Sequence, residues 1–493
     1  MSERLSLANV KQLPRALVPR VDPLSLPVGI VHLGIGAFHR AHQAVYTEDA
    51  VAAAGGDWGI SGVSQRTATV VEQLGPQDGL YTLAERDGSG ERLRVIAAVR
   101  ELMWARAQSE AVAARIASPA TRLVTLTVTE KGYHHDPATN RLRLDSPDVA
   151  ADLADGGSRT VVGQVVQGVA RRRADDAGPL TVLCCDNLPD NGHVVSRLVF
   201  DFVAHSARAD GLGDWIAANV RFPSTMVDRI TPATTDADRA RIAAALGARD
   251  DGAVVTEPFT QWVIEDDFAA ERPAWERAGA IVTADVRPYE QIKLRLLNGA
   301  HSALAYLAVL ADEALVSDAV RPERAFQAVL RRLMADEVAP TLTVPDGFDL
   351  GTYQADLLER FANPALRHRT LQIAMDGSQK LPMRLLGTIR DRRRAGTEPV
   401  MASLGVAAWM RFVSARRSDS GRDLTVDDPL ADEIAQRLRG REDPEPVVDS
   451  LLSMSQVFDP QLAVDPGWRA LLVELLEALI RDGADRTARR LAA

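Results

Sequence analysis

The sequence predicts an α/β N-terminal domain followed by a mostly α-helical C-terminal domain. A short apolar strand, a glycine-containing turn and a helix start follow one another at residues 29–46. Further strand candidates occur at residues 58–64, 94–99, 123–128, 179–185, 259–266 and 280–286. From about residue 288 the chain changes to segments rich in Leu, Ala and Arg with helical spacing. We therefore expect one domain over residues 1–287 and a second over residues 288–493.

The composition excludes several classes of protein. A net charge of −10 argues against a general nucleic-acid-binding protein, although a small anionic substrate needs only a local basic pocket. The only cysteines, Cys184 and Cys185, are adjacent, so neither a disulfide framework nor a cysteine metal site is expected. The sequence shows neither a membrane-spanning apolar run nor a signal peptide. We therefore expect a cytoplasmic protein that acts on a small molecule, with no membrane or nucleic-acid partner.

The glycine turn is the first candidate site. Residues 30–33 form a short apolar strand, Gly34 and Gly36 lie in the turn, and a helix begins near Phe38. This geometry presents backbone N–H groups and a helix N-terminus to a pyrophosphate, as in Rossmann-type domains. The usual third glycine is replaced by His39, and many tight turns carry the shorter motif. The residues predicted to contact the cofactor here are Gly34, Gly36, Ala37, Phe38, His39 and Arg40.

The next strand, at residues 58–64, bears on the choice of cofactor. Its carboxyl end usually carries an acidic residue for the adenosine ribose, but here residues 65–69 read Gln-Arg-Thr-Ala-Thr. Arg66 is suited to a 2′-phosphate, which would favour NADP, and the alternative is a solvated loop arginine. We predict NAD as the cofactor and leave NADP open.

Polar residues follow two later strands. Lys131 comes after the strand at residues 123–128, and Asn187 comes after the strand at residues 179–185. Ligands bind at the carboxyl ends of parallel strands in open α/β sheets. Lys131 is thus a candidate for contacting substrate or cofactor, and the Asn187 amide for facing the reacting carbon. The alternative for both residues is an ordinary loop.

The segment at residues 293–310 looks like a buried helix, and its apolar face is interrupted by Lys293, Asn298 and His301. At about 100° per residue they fall within one arc of a helix, where they can face a single site. Burial lowers the pKa of a lysine toward neutrality, as a general base requires. Asparagine can donate to a developing alkoxide, and histidine can hold a substrate hydroxyl. The alternative is a helix start with a solvated lysine and an ordinary core histidine.

A cationic stretch lies inside the predicted helical domain. Arg367, His368, Arg369 and Lys380 occur close to an Asp-Gly turn at residues 376–377. Cations that converge on a cleft suit a carboxylate, which arginine can bind through two hydrogen bonds. The alternative is a solvated basic face.

Taken together, these motifs resemble the polyol-specific long-chain dehydrogenases, the mannitol dehydrogenase family. The residues that carry the resemblance are 34–43, 127–133, 185–187, 226–230 and 293–301. The match runs from about residue 28 to the C-terminus. It implies a Rossmann-type N-terminal domain, a helical C-terminal domain and hydride transfer to or from NAD(P) without a metal. It is also compatible with a monomer.

The resemblance implies roles for the matching positions. Lys293 would be the general acid/base at the reacting hydroxyl or carbonyl. Asn187 and Asn298 would stabilise the oxyanion, and His301 would orient the substrate. Glu290 would lie on a proton path to solvent.

Substrate contacts are implied at Asp228 and Lys380, and the cationic residues Arg369 and Lys131 are added from their charge. The alternative for Asp228 is a plain ion pair with its neighbour. Lys131 and the stretch at residues 367–382 resemble fructuronate reductases (D-mannonate oxidoreductases) more than mannitol 2-dehydrogenases. A uronate carries a carboxylate, which additional cations would bind.

The expected activity is therefore reversible reduction of D-fructuronate to D-mannonate. The alternatives are a mannitol 2-dehydrogenase or arabinitol dehydrogenase, and a nucleotide sensor that has lost catalysis. Two features of the sequence differ from the mannitol enzymes. Residues 68–69 are Ala-Thr, where an acidic pair is frequent, and residue 372 is glutamine, where those enzymes have arginine.

Overall fold

The computed structural model describes residues 3–136, 139–206 and 210–493. The chain divides into two compact units, Met1–Arg287 and Pro288–Ala493, which we call unit 1 and unit 2. Within the described residues, no helix is both long enough and apolar enough to cross a membrane.

Unit 1 mixes strands and helices. Its described strands are β1 (Val28–Leu33), β2 (Gly59–Ser64), β3 (Tyr81–Arg86), β4 (Glu91–Ile96), β5 (Val99–Trp104), β6 (Leu123–Leu126), β7 (His135–Asp136), β8 (Arg141–Leu142), β9 (Leu180–Cys184), β10 (Val220–Arg221), β11 (Thr225–Asp228), β12 (Val254–Thr256), β13 (Gln261–Glu265) and β14 (Ile281–Thr283). Its α-helices are Ala37–Ala41, Gln43–Ala54, Thr69–Leu74, Ala105–Ala117, Pro147–Asp155, Val161–Ala174, Asn191–His205, Leu212–Asn219 and Asp236–Leu246. Short 3₁₀ helices cover Val10–Gln12, Pro23–Ser25, Gly75–Gln77, Glu130–Tyr133 and Trp275–Ala278.

The main sheet of unit 1, within the described residues, has six strands in the order β10-β9-β6-β1-β2-β5, all parallel. Every residue of β1 is buried, as expected for a strand covered by helices on both faces. The chain passes from β1 to β2 on one side and later places β6 on the other side of β1. Ligands bind outside the carboxyl ends of the strands at such a reversal of order. The predicted α/β Rossmann-type fold is confirmed.

Smaller sheets complete unit 1. Their strand orders are β12-β3-β4 and β11-β13-β14, and β7 pairs with β8 in a hairpin. The strand predicted over residues 94–99 is wrong, because β4 ends at Ile96 and β5 begins at Val99. The backbone N–H of Ala97 donates to the buried Glu48 carboxylate at 2.5 Å. The chain thus leaves the small sheet at this point and enters the main one.

Unit 2 is helical, and none of its residues, all of which the structure describes, lies in a β-strand. Its α-helices are Gly299–Leu310, Val316–Ala319, Phe326–Arg332, Leu350–Ala362, Thr370–Ala374, Gly377–Leu381, Gly387–Arg394, Val400–Ala415, Ala431–Arg437, Pro444–Leu452, Pro460–Ala463, Pro466–Asp482 and Ala484–Ala492, and the helix Arg287–Ile292 leads into it. Three π-helical segments are Lys293–Asn298, Leu333–Val338 and Pro382–Leu386. Short 3₁₀ helices cover Ala339–Thr341 and Pro364–Leu366.

The core of unit 2 forms around the helix Gly299–Leu310, in which every residue is buried. It packs against the helices Val400–Ala415 and Thr370–Ala374. A largely apolar helix that is buried on all sides has to be surrounded by others, which explains its central place. The mostly helical C-terminal domain predicted from the composition change is confirmed.

A buried carboxylate caps one of these core helices. Glu337, which is 7% exposed, accepts hydrogen bonds from the backbone N–H groups of Met401 and Ala402 at 2.7 and 2.8 Å. These N–H groups lie in the first turn of the helix Val400–Ala415, where no intrahelical acceptor exists. Burial raises the pKa of Glu337 to about 7, although the two hydrogen bonds favour the charged form and lower the pKa. At pH values between the pKa in the unfolded chain and the pKa in the folded protein, Glu337 is therefore protonated in the folded protein and ionised in the unfolded chain.

The substitution Glu337→Gln should flatten the dependence of stability on pH. The pKa of Glu337 is raised on folding, so its stabilising effect is complete below the unfolded pKa and is lost as the pH rises through about 7. The loss is at most about 3 kcal/mol for a shift of this size. We expect the fall in Tm between pH 5 and pH 8 to be smaller in the variant. Calorimetry at both values, with the exposed Glu398→Gln as control, tests this, and equal slopes in all three proteins would contradict it.

Candidate functional site

The glycine turn follows β1 at the carboxyl edge of the main sheet. Gly34 has φ +106°, and its N–H donates to the carbonyl of Val63 at 2.8 Å. A Cβ at Gly34 would lie 2.1 Å from the carbonyl oxygen of Thr127, so glycine is required there. Gly36 caps the helix Ala37–Ala41, and a Cβ there would meet only the oxygen of Gly34 at 3.8 Å. The turn therefore leaves open space next to backbone donors, which fits a dinucleotide pyrophosphate.

Side chains predicted to contact the cofactor divide into two groups. Ala37 and Phe38 are half-buried at the surface of the turn, whereas His39 and Arg40 are 1% and 7% exposed. The Arg40 guanidinium donates to the carbonyls of Gly36 and Gly252. The structure thus leaves only backbone contacts for His39 and Arg40, because both side chains are directed into unit 1.

A pair of stacked histidines supports the turn from inside. The rings of His32 and His39 are 3.4 Å apart between centroids and 15° from parallel. His32 is hydrogen-bonded to the hydroxyls of Thr125 and Thr127 at 2.7 and 2.8 Å. Burial lowers the pKa of His32 to about 3, and it also lowers the pKa of His39 well below its ordinary value. Both rings are therefore neutral and act as structural support.

The substitution Gly34→Ala should weaken cofactor binding and lower stability. Alanine at positive φ is strained, and its Cβ would overlap the Thr127 carbonyl, so the turn has to move. We expect NADH binding to weaken by about 5–150-fold, since a strain of about 1–3 kcal/mol corresponds to that range. NADH fluorescence titration and calorimetry measure the two effects. Gly36→Ala is the matched control: it should weaken NADH binding without lowering Tm, and an unchanged Tm in Gly34→Ala would contradict the prediction.

Three further predicted residues follow other parallel strands at the same edge of the main sheet. Arg66 is exposed in the loop after β2, and Lys131 is exposed in the 3₁₀ helix Glu130–Tyr133 after β6. Asn187 follows β9. The parallel sheet therefore brings these residues to the edge that carries the glycine turn.

Asp186 connects the loop after β6 with the loop after β9. In the sequence, the only signal for this residue was its place in the motif at residues 185–187. Its carboxylate accepts from the backbone N–H of Thr129 at 3.0 Å and from the Tyr133 hydroxyl at 2.6 Å. Thr129 has φ +72° and ψ +155°, a conformation that is costly for a β-branched residue. Asp186 thereby holds the strained loop of Lys131 against the strand end that carries Asn187.

Asp228 ends β11 and is 5% exposed. Its neighbour Arg229 forms an ion pair with Glu85 at 2.6 Å and donates to the carbonyl of Glu257. The guanidinium of Arg229 thus serves a structural network in unit 1. The role of Asp228 in binding substrate stays a prediction.

In unit 2 the predicted catalytic helix differs from the α-helix expected. Lys293–Asn298 is π-helical, and the N–H of Gly299 donates to the carbonyl of Leu294 five residues earlier. In an α-helix, Lys293 and Asn298 would be roughly 140° apart. In a π-helix the hydrogen bonds join residues five apart, so residues i and i+5 lie on the same side. The residues i and i+4 are neighbours in the same way in an α-helix. The π segment therefore brings Lys293 and Asn298 to one face, and Glu290 precedes them in the helix Arg287–Ile292.

His301 lies in the following α-helix and is 8% exposed. Its ring stacks on Phe361 at 4.8 Å between centroids and meets the edge of His368 at 4.9 Å. Its Nε2 has no hydrogen-bond partner within the described residues. A buried polar atom without a partner is uncommon, and a substrate hydroxyl would satisfy it.

Several basic side chains act on this histidine. Burial lowers the pKa of His301 well below its usual range, and His368, Arg384, Arg360 and Lys380 lower it further. His301 is therefore neutral at working pH. Arg360 and Arg384 were not predicted from the sequence, since both lie among many arginines without a distinguishing motif.

Of the predicted cationic stretch, only part lies near His301. The Lys380 ammonium donates to the carbonyl of Met375 at 2.6 Å and lies 3.7 Å from the Asp376 carboxylate. Arg369 is exposed at the N-cap of the helix Thr370–Ala374.

No group of three or more His, Cys, Asp or Glu side chains within the described ranges is arranged to hold a metal ion.

Comparison with known protein families identifies the chain. Residues 28–277 match the Mannitol dehydrogenase Rossmann domain, and residues 285–480 match the Mannitol dehydrogenase C-terminal domain. The chain belongs to the mannitol dehydrogenase family. It is an oxidoreductase of that family, with the two domain types of the family in the expected order.

Members of the mannitol dehydrogenase family with different substrates are similar to this chain. The D-mannonate oxidoreductase of Escherichia coli K12 is 40% identical over 94% of this chain and 96% of its own length. The mannitol 2-dehydrogenase of Pyrenophora tritici-repentis is 38% identical over 98% of this chain and 85% of its own length. The mannitol 2-dehydrogenase of Pseudomonas fluorescens, solved as a ternary complex with NAD and D-mannitol, has a TM-score of 0.85 at 35% identity and covers 99% of both chains.

Proposed function

We propose that this protein is an NAD-dependent oxidoreductase that reversibly reduces D-fructuronate to D-mannonate. The observation that carries the proposal is the hydrogen bond from Arg384 to Ser302, the residue after His301, together with the positive charges of Arg360, Lys380 and Arg384 that act on the histidine ring. A buried site that already holds several positive charges is suited to a substrate that brings a carboxylate.

NAD bound at the glycine turn would supply the hydride acceptor. Its assignment is supported by the Rossmann domain match and by the relative that was solved with NAD. Arg66, exposed after β2 where an acidic residue is usual, keeps NADP as a second cofactor to test.

The proton is handled by the helical unit in this proposal. Lys293 removes it from the alcohol in oxidation and returns it in reduction, and Glu290 connects Lys293 with solvent. Asn298 and Asn187 donate their amides to the oxyanion that develops on the reacting oxygen. His301, being neutral, accepts a hydrogen bond from a substrate hydroxyl through a ring nitrogen. Asp228, Lys380 and Lys131 are the further contacts that we propose for the sugar chain and its carboxylate, and the exposed Arg369 is the weakest member of the predicted set.

The second candidate is a mannitol 2-dehydrogenase that interconverts fructose and mannitol. It is supported by the ternary complex of the Pseudomonas relative, which contains D-mannitol. Under this alternative, the cations near His301 would serve the fold of unit 2.

An absorbance assay of the nicotinamide separates the candidates. D-fructuronate, D-fructose and D-tagaturonate are each supplied with NADH and with NADPH. We expect the highest kcat/KM with fructuronate and NADH. Faster turnover of fructose than of fructuronate would favour the second candidate, and tight cofactor binding without any turnover would favour a nucleotide sensor.

A further inference from the structure

Two π-helical segments of unit 2 lie side by side. Pro382–Leu386 packs against Lys293–Asn298, the segment that carries the proposed proton-transfer lysine. A Cβ at Gly299 would lie 2.7 Å from the carbonyl oxygen of Arg384. The glycine after Asn298 thus lets the backbone of Arg384 approach the catalytic helix closely. π-Helical turns occur frequently at functional sites, and here two such turns are in contact.

The side chain of Arg384 is directed along the same helix. Its Nη1 donates to the hydroxyl of Ser302 at 3.0 Å, and Ser302 is the buried residue that follows His301. Ser302 lies four residues beyond Asn298, which is about 6 Å along the axis of an α-helix. The guanidinium is therefore anchored within the length of a sugar from the amide proposed to stabilise the oxyanion.

The chemistry of this guanidinium suits an anion. Arg384 and Lys380 both act on His301. Lys380 is itself held by the carbonyls of Ile373 and Met375 and lies 3.7 Å from the Asp376 carboxylate. One partner of Arg384 is the neutral hydroxyl of Ser302, which follows His301 in the sequence and fixes the guanidinium. A guanidinium has five N–H donors, and its planar fork matches a carboxylate through two parallel hydrogen bonds.

We propose that Arg384 is the specificity-determining residue that binds the carboxylate of a sugar-acid substrate. The inference rests on the proposed function and deepens it, because it assigns one side chain to the group that distinguishes fructuronate from fructose. In this arrangement His301 and Asn298 hold the keto end of the sugar, and Arg384 receives the carboxylate at the other end. Ser302 is a positioning residue that fixes the guanidinium.

The test is the ratio of kcat/KM for fructuronate to kcat/KM for fructose, both with NADH. Arg384→Gln should lower the fructuronate value by about 10–100-fold, mainly through KM, because a hydrogen bond to a charged group is lost. The ratio itself should fall at least about tenfold. Arg384→Lys keeps the charge but lacks the planar fork, so its ratio should lie between those of the unaltered protein and Arg384→Gln. This variant also tests the inference if Arg384→Gln does not fold. Arg331→Gln, which removes an exposed arginine of unit 2, should leave the ratio unchanged.

Binding measured apart from turnover gives a second readout. In the presence of NADH, D-mannonate should lose affinity for Arg384→Gln, and D-mannitol should lose much less. An equal loss for both ligands would show that Arg384 only supports the fold, and would overturn the inference. If the unaltered protein prefers fructuronate and Arg384→Gln keeps that preference, the inference fails while the proposed function stands. If the unaltered protein prefers fructose, both fail.

Discussion

Replacing Lys293 by alanine is expected to lower kcat by about 10²–10⁴-fold, because the proton of the reacting hydroxyl loses its acceptor. NADH binding should stay within about twofold, since the glycine turn belongs to unit 1 and does not involve this side chain. The chain contains only four lysines, Lys11, Lys131, Lys293 and Lys380, among 57 basic residues. Arginine cannot give up a proton near neutral pH, so a lysine at this position of an arginine-rich chain agrees with proton transfer.

Two variants control the Lys293 experiment. Lys293→Arg keeps the positive charge but should be nearly as inactive as alanine, because arginine stays protonated. Lys11→Ala removes an exposed lysine of unit 1 and should retain full activity. Single-turnover rates with NADH and ketose measure the chemical step directly. Activity of Lys293→Arg close to that of the unaltered protein would show that the residue contributes charge and not proton transfer.

Replacing Asn298 by alanine is expected to lower kcat by about 10²–10³-fold, with a smaller change in KM. An amide aimed at a developing oxyanion binds the transition state more strongly than the ground state, so its loss appears mainly in kcat. The π-helical segment Lys293–Asn298 is what allows this amide to share a face with Lys293. Steady-state kinetics in both directions, with NADH titration as a check on cofactor binding, measure the effect.

Variants of two other asparagines accompany the Asn298 experiment. Asn219→Ala removes an amide that donates to the carbonyl of Trp215 at the end of a helix in unit 1, and it should leave kcat unchanged. Asn187→Ala should resemble Asn298→Ala, and the double variant should cost less than the product of the two. An effect of Asn298→Ala confined to KM would show a substrate contact without oxyanion stabilisation.

Much of the fold could be predicted from the pattern of apolar residues, because many of its strands and helices have regular patterns of burial. The strands β1, β2, β6 and β9 are buried along their whole lengths and appear in the sequence as short apolar runs. The helix Asp236–Leu246 begins with the capping residue Thr235 and ends before Gly247, so both boundaries are visible in the sequence. The strand predicted at residues 94–99 failed because a hydrogen bond to Glu48, a residue far away in sequence, interrupts it.

Side-chain direction at the glycine turn was decided by tertiary packing. The motif predicts backbone donors at Gly34 and Gly36, and that prediction depends only on local geometry. The motif does not predict that His39 stacks on His32. It also does not predict that Arg40 donates a hydrogen bond to the carbonyl of Gly252, which lies more than two hundred residues later. Both side chains were therefore assigned to the cofactor from their position in the motif alone.

By itself the sequence determined the two fold types, the edge of the sheet that carries the cofactor turn, and Lys293, Asn298 and His301 as the polar positions of an apolar helix. These features depend on short-range periodicity and residue chemistry, which a single chain displays directly. Only the tertiary structure decided that Lys293–Asn298 is π-helical and that Arg384 binds Ser302, the residue after His301. The physical reason for the second is close packing between segments distant in sequence, because the absence of a Cβ at Gly299 lets the backbone of Arg384 approach.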